Sequence, residues 1–257
     1  MTFLYALHDG VISAIFVIVL TGMALAVMHL ARRLMPAETL TKETMDLGLR
    51  VLPALVSMAA FLLAFAVVQS KNDITRIQRA VVSEGATLLD LDRTLRRYDP
   101  AITAPLRDQL AAYARSVVEE EWPAMARDDT SPPTAERLGA LLAGLRTLHP
   151  DTPRMTTLYA AIEADMDKLA ELRDGRLHDA RIGVPGLFWA MILCLHGAIM
   201  VLGGMFRPTP WTTMLIGALN AGLALLTAFL FVHDRPFLGD TSVSPEPLLR
   251  FLAAATQ

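Results

Sequence analysis

A single cysteine, Cys194, is present among 257 residues. This excludes an internal disulfide and any metal centre built on paired thiols. Set in the middle of an apolar run, Cys194 reads as a small core residue. The signatures of common enzyme chemistry are also missing: no Walker loop, no GxGxxG after a strand, no HExxH and no GxSxG. The six histidines, His8, His29, His149, His178, His196 and His233, are scattered rather than clustered. No alternating apolar–polar run suggests a strand, and there is no internal repeat or low-complexity tract. The formal net charge of −3 is too small to suggest a nucleic-acid or polyanion partner. No cofactor, no metal and no catalytic residue is expected, and the chain does not read as an enzyme.

Charge is absent in a more informative way from four stretches: Val11 to Ala31, Val51 to Gln69, Gly183 to Phe206 and Trp211 to Val232 contain no Asp, Glu, Lys or Arg. A helix needs roughly 20 apolar residues to cross the hydrocarbon core. Hydrophobic residues make up 53% of the chain although 19% are charged, so the apolar residues are concentrated in these runs. The sequence therefore predicts a multi-pass integral membrane protein whose first partner is the lipid bilayer. Residues 1–10 offer no basic segment, and Arg32-Arg33 rather than a small-residue cleavage site follow the first run, so it is expected to be a retained span and not a leader.

Between the second and third spans lies a mostly polar region that reads as helices. Ile74, Ile77, Val81, Leu88, Leu91 and Leu95 fall on one face at spacings of three and four. A second helix carries Leu106, Leu110, Tyr113 and Val117. Ser131-Pro132 and Thr152-Pro153 each place a capping residue before a proline at the first helical position. The helices they open show Leu138, Leu141, Leu145 and Leu148, and then Met155, Leu158, Ile162, Met166 and Leu169. The expected fold is all-α: four transmembrane helices with a cytosolic helical region inserted between the second and third, the last of its helices running on towards the third span. The chain is treated as one structural unit with two layers. Its segments are an N-terminal membrane helix pair (1–69), the cytosolic helical region (70–182), a C-terminal membrane hairpin (183–232) and a tail (233–257). Lys71, Arg76, Arg79, Arg173, Arg176, Arg181, Arg235 and Arg250 stand on one side of the membrane. Arg32, Arg33, Lys42, Arg50 and Arg207 stand on the other. This bias places the central region and both termini in the cytoplasm.

Along the second span, Ser57, Phe61 and Phe65 recur every four residues, with Gln69 next on the same face. Brought to a common axis by several subunits, this face would form apolar rings able to gate ions by dewetting. The same periodicity also describes a face turned to lipid or packed on another span. Glu84 falls on the apolar stripe of the following helix. A carboxylate there costs several kcal/mol of desolvation unless it is paired. Either it is buried against Arg79 or an arginine on the last cytosolic helix, or it contributes to a ring of acids along a vestibule that attracts cations. His196, inside the third span, is expected to bond a neighbouring helix. Glu119, Glu120 and Glu121 read as a solvated face. In the fourth span, Gly217, Ala218, Ala221 and Gly222 let helices approach closely, and Asn220 needs a partner away from lipid. That span ends at Asp234, Arg235, Pro236, Phe237 and Gly239. The proline stops the helix, the charged pair reaches water, Phe237 turns back into the membrane boundary, and Gly239 permits the turn.

The order DRPFLG then SVSPEPLL (Ser242 to Leu249) resembles the end of the bacterial bestrophin-like proteins, long catalogued as a domain of unknown function. VQSKND (Val68 to Asp73), SEGATLLDLDRTLRRY (Ser83 to Tyr98), LAAYARSVVEEEWPAM (Leu110 to Met125) and the paired spans joined at FRPTP agree in order. More distantly the chain resembles the bestrophins, homopentameric ion channels whose second span lines the pore with apolar rings. FLLAF, Phe61 to Phe65, looks like their phenylalanine-bearing neck. The resemblance implies a homo-oligomer, a pentamer, in a prokaryotic inner membrane that passes inorganic ions. Phe61 and Phe65 would form its constriction, Ser57 the outer mouth, and Gln69 with Asn72 the cytosolic mouth. The contiguous acids that bind calcium in animal bestrophins are missing; Asp234, Asp240 and Glu246 are too dispersed for a clasp. The alternative is a non-conducting membrane scaffold or sensor whose cytosolic helices bind a partner protein.

Overall fold

In a computed structural model of the chain, which describes residues 7–35 and 41–255, every regular element is helical. The helices are α1 (Asp9–Leu34), α2 (Lys42–Tyr98), α3 (Ala104–Ser116), a π-helical turn (Val117–Glu121), α4 (Trp122–Met125), α5 (Pro132–Leu145), α6 (Pro153–Asp179), α7 (Gly186–Gly203), α8 (Pro210–Val232) and α9 (Glu246–Ala255). Four of them, α1, α2, α7 and α8, are long and apolar enough to cross a membrane.

The chain divides into two units rather than one. The first comprises residues 1–73, 183–235 and 239–241, and the second 74–182, 236–238 and 242–257. The tail is thus shared between them, and α2 contributes to both. The 57-residue α2 is unbroken because, after Pro53, no second proline interrupts it.

In the first unit α1 packs against α7 and α8. Phe16 meets Phe231 with ring centroids 4.9 Å apart. A Cβ on Gly204 would lie 2.5 Å from the Ala31 Cβ, so glycine is what allows the end of α7 to approach α1. Ala59, Leu63 and Ala66 of α2 pack with Ile192 and Ile199 of α7 and Leu223 and Leu230 of α8. One turn later the Ser70 hydroxyl donates to the His233 carbonyl at 2.8 Å. His196 is buried; its Nε2 lies 3.5 Å from the Thr227 hydroxyl of α8 and its Nδ1 2.9 Å from its own Ile192 carbonyl. Asn220 is buried and donates to the Ile216 carbonyl of its own helix. Cys194, expected in the core, is exposed on α7. Its neighbours Ile192 and His196 take the buried side of that helix, and residue 194 lies about 180° from their mean direction at 100° per residue.

The second unit has its own apolar core. It is built from Ile77, Val81, Leu88, Leu91 and Leu95 of α2, Leu110 and Tyr113 of α3, Leu141 of α5, Ile162, Met166 and Leu169 of α6, and Leu248 and Phe251 of α9. Ser131 and Thr152 cap α5 and α6 through their hydroxyl oxygens, which accept from Thr134 N and Met155 N. Gly85 is required where α2 meets the start of α9, since a Cβ there would lie 2.8–2.9 Å from Pro247. The α6 helix does not run on into α7. It stops at Asp179, and residues 180–185 form an irregular segment containing Gly183 and Pro185. Proline lacks the N–H that a continuous helix would need there.

Candidate functional site

Two constellations stand out, one in each unit. In the membrane unit, α2 has two differently occupied faces. Ala59, Leu63, Ala66 and Ser70 are buried. On the other side Ser57, Phe61, Phe65, Gln69 and Asn72 are all exposed, Phe61 at 83% and Phe65 at 59%. A row at four-residue spacing creeps round a helix by about 40° per step, so these residues form a slanted stripe. Its polar members stand at the two ends and its phenylalanines between. Phe65 stacks against Phe188 of α7, centroids 6.3 Å apart and planes 18° from parallel, whereas Phe61 projects freely. The Gln69 amide donates to the Asp73 carboxylate at 3.3 Å, one turn further along.

In the second unit Glu84 is fully buried, and what pairs with it is Arg176 of α6. Arg176 Nε donates to Glu84 Oε2 at 2.8 Å, and Nη2 donates to Glu84 Oε1 at 3.1 Å. The same Nη2 donates to Glu121 Oε2 at 2.9 Å. Glu121 also accepts from Arg173 Nη2 and Nε. The result is an alternating chain, Glu84–Arg176–Glu121–Arg173, in which both carboxylates and the Arg176 guanidinium are wholly removed from solvent. Arg176 Nη1 donates to the Met125 sulfur at 3.3 Å, and its Cζ lies 5.4 Å from the centre of the Trp122 ring. Burial alone would drive the proton off Arg176, but Glu84 outweighs burial and holds the guanidinium charged above its ordinary range.

Glu121 reaches this position because of the π-helical turn. The wider turn over Val117–Glu121 inserts an extra residue into the helix and swings the third glutamate inward. Glu119 stays exposed, and Glu120 pairs with Arg137 at 2.6 Å. The solvated-face expectation therefore fails for Glu121 alone. Sequence reasoning named an arginine on the last cytosolic helix as one of two partners for Glu84, without choosing Arg176, and it did not place Arg173 or Tyr113 in this cluster, although a signal was present. The α6 stripe Met155, Leu158, Ile162, Met166, Leu169 continues at the same spacing onto Arg173 and Arg176. The α3 stripe already contained Tyr113.

The residues after α8 divide between the units. In the first, the Asp234 carboxylate accepts from the Val184 N–H just before α7, joining the two ends of the α7–α8 hairpin. In the second, Phe237 is buried and makes an edge-on contact with Trp122, centroids 5.2 Å apart. Phe237 was expected to anchor at the membrane boundary; the indole offers it an aromatic partner inside the helical core instead. Gly239, at φ 81°, makes the reversal that brings the Val243 N–H to the Pro236 carbonyl at 2.8 Å. Among the described residues no group of three or more His, Cys, Asp or Glu is placed to hold a metal ion.

The solved structures similar to this fold include a bacterial bestrophin homologue from Klebsiella pneumoniae that carries a point mutation. It is 15% identical with a TM-score of 0.67, over 94% of this chain and 99% of that one. Another is a membrane protein with a proline-to-alanine substitution, also 15% identical with a TM-score of 0.67, over 93% and 98%. At that identity the likeness speaks for the fold. The family is settled by the sequence itself: residues 18–248 match the model of the bestrophin-like domain, and the chain belongs to the bestrophin-like family.

Proposed function

We propose that copies of this chain assemble around a shared axis, as a homopentamer in a prokaryotic inner membrane, and conduct inorganic ions passively along it. Membership of the bestrophin-like family supports an ion-channel-type membrane protein. The observation that carries the finer reading is the stripe on α2. Its far side is consumed by packing against α7 and α8, while Ser57, Phe61, Phe65, Gln69 and Asn72 are left uncovered in the protomer. Polar ends flanking an apolar middle are what a conduction path needs. Ser57 provides an outer mouth, Phe61 and Phe65 a narrow region that water enters reluctantly, and Gln69 with Asn72 an inner mouth. With the positive-inside bias, the central region and both termini lie in the cytoplasm.

The experiment is current measurement from purified protein in a planar bilayer, preceded by its mass in detergent. Conduction predicts an oligomer, measurable current, and a current increased or altered in Phe65→Ala. A monomeric mass removes the axis. Silence from an intact oligomer, with a partner protein recovered on the full chain, supports the scaffold or sensor reading instead.

A further inference from the structure

We propose that the end of the membrane unit where α1 and α7 finish and α2 and α8 begin binds the phosphate headgroups of anionic lipids, through Arg32, Arg33 and Arg207. Among the described residues this end carries five cations, Arg32, Arg33, Lys42, Arg50 and Arg207, against two acids, Glu43 and Asp46. None of the five takes part in an ion pair or a side-chain hydrogen bond among the described residues. Arginines of the second unit behave otherwise: Arg76, Arg96, Arg107 and Arg137 each reach a carboxylate. The opposite end of the membrane unit has acids in excess, with Asp9, Asp73, Asp234 and Asp240 against Lys71 and Arg235. Positive charge is thus concentrated at one end of the spans, where no described carboxylate meets it.

The fold gathers three of these cations. A Cβ on Gly204 would lie 3.2 Å from the Arg32 backbone nitrogen, so the last turn of α1, with Arg32 and Arg33, sits against the end of α7. Arg207 follows three residues later. Its carbonyl accepts from Thr209 N at 2.9 Å and from the Thr212 hydroxyl at 2.6 Å, which fixes the turn that carries it. Arg33 and Arg207 are exposed and Arg32 is half-buried. Trp211, 72% exposed in the first turn of α8, marks the level of the bilayer surface, where tryptophan is enriched. A guanidinium presents paired N–H donors that match a phosphate, and it keeps its charge at any physiological pH. Leu30 of α1 and Val201 of α7, exposed about one turn back into the spans, offer apolar surface to acyl chains. A free anion would gain the first contact and not the second, which favours a lipid. Each arginine near an anionic surface strengthens binding by about fivefold. The assignment rests on membrane embedding and not on conduction.

The test adds phosphatidylglycerol, phosphatidylcholine or inorganic phosphate to the full-length protein in an uncharged detergent and follows its melting temperature, which a ligand of the folded state raises. The expected result is a rise with phosphatidylglycerol, little with the other two, and loss of the rise in Arg32→Gln/Arg33→Gln/Arg207→Gln. Arg115→Gln/Arg127→Gln/Arg146→Gln, which removes the same charge from exposed positions in the second unit, keeps the rise. No rise with phosphatidylglycerol, an equal rise with phosphatidylcholine, or a rise undiminished in the first variant overturns the proposal. An equal rise with inorganic phosphate shows a free-anion site and overturns the lipid assignment. If the first variant does not fold, native mass spectrometry compares the lipids retained from an equimolar mixture of the two by the unsubstituted protein and by Arg207→Gln. Phosphatidylglycerol retained in excess, and held about fivefold more weakly by Arg207→Gln, supports the site. Retention that ignores the headgroup or the substitution defeats it.

Discussion

The two units handle their exceptional residues in opposite ways. The second unit draws charge inside and pairs every buried charge, so that Glu84, Glu121, Arg173 and Arg176 form one chain. The first unit leaves large aromatic groups outside, with Phe61 and Phe65 uncovered on α2. The difference shows that burial has distinct meanings in the two solvents of a membrane protein. In the polar unit a buried carboxylate is tolerated because its partner is fixed on another helix. In the membrane unit an exposed phenylalanine costs little, since what covers it is lipid or another protomer rather than water.

The most severe way to break this contrast is Arg176→Met, which strands Glu84 without any partner and deprives Glu121 of one. It should cost about 3–5 kcal/mol, seen as loss of folded protein or a large drop in melting temperature. Replacing the pair together, Glu84→Leu with Arg176→Met, should recover most of that loss. If the double variant is as unstable as the single one, the cost was lost packing and not stranded charge. Next in size is Gly85→Ala. The added methyl meets the Pro247 Cβ at 2.8 Å and its backbone carbonyl at 2.9 Å and should cost about 1–3 kcal/mol by overpacking. Gly139→Ala on α5 meets nothing within 4 Å and should instead stabilise by about 0.5–1 kcal/mol.

A smaller effect is expected from acid. Burial alone would push the Asp92 carboxyl up, but hydrogen bonds from Arg107 and Arg96 outweigh it and hold it below the ordinary aspartate range. A depressed carboxyl stabilises the fold above its unfolded value, and that stability is lost as pH falls through the lower, folded value. A melting-temperature series in acid should therefore show a decline that begins below about pH 4 and is reduced in Asp92→Asn. The smallest effect on folding belongs to Phe61→Ala. Because that ring projects freely, the melting of the protomer should shift by no more than about 0.5 kcal/mol. Under the proposed function its consequence appears in conductance instead. A large loss of protomer stability would show that the stripe is packed after all.

Much of the fold was legible because its signals are local. Four charge-free runs located the spans, and the Ser131-Pro132 and Thr152-Pro153 pairs marked the starts of α5 and α6. Apolar residues at spacings of three and four named the second unit's core from Ile74 to Leu169. The π-helical turn was not legible: nothing in Val117–Glu121 distinguishes it from an ordinary helix, so the inward Glu121 was read as solvated. The ion chain was half legible. Glu84 stood out on its stripe, but which arginine meets it depends on how α6 lies against α2, which spacing within one helix does not encode. Cys194 shows the same limit from the other side, since a run that is apolar all round does not say which of its faces is buried.

Trp122 holds a position from which the second unit can be watched. Its indole lies against the Arg176 guanidinium, touches Phe237 edge-on, and donates through Nε1 to the Val243 carbonyl at 3.2 Å. Trp189 and Trp211, the remaining tryptophans, are in the other unit. With those two replaced by phenylalanine, emission from Trp122 becomes an optical readout of whether the guanidinium beside it is seated. Loosening of the polar helices could then be followed separately from events within the bilayer.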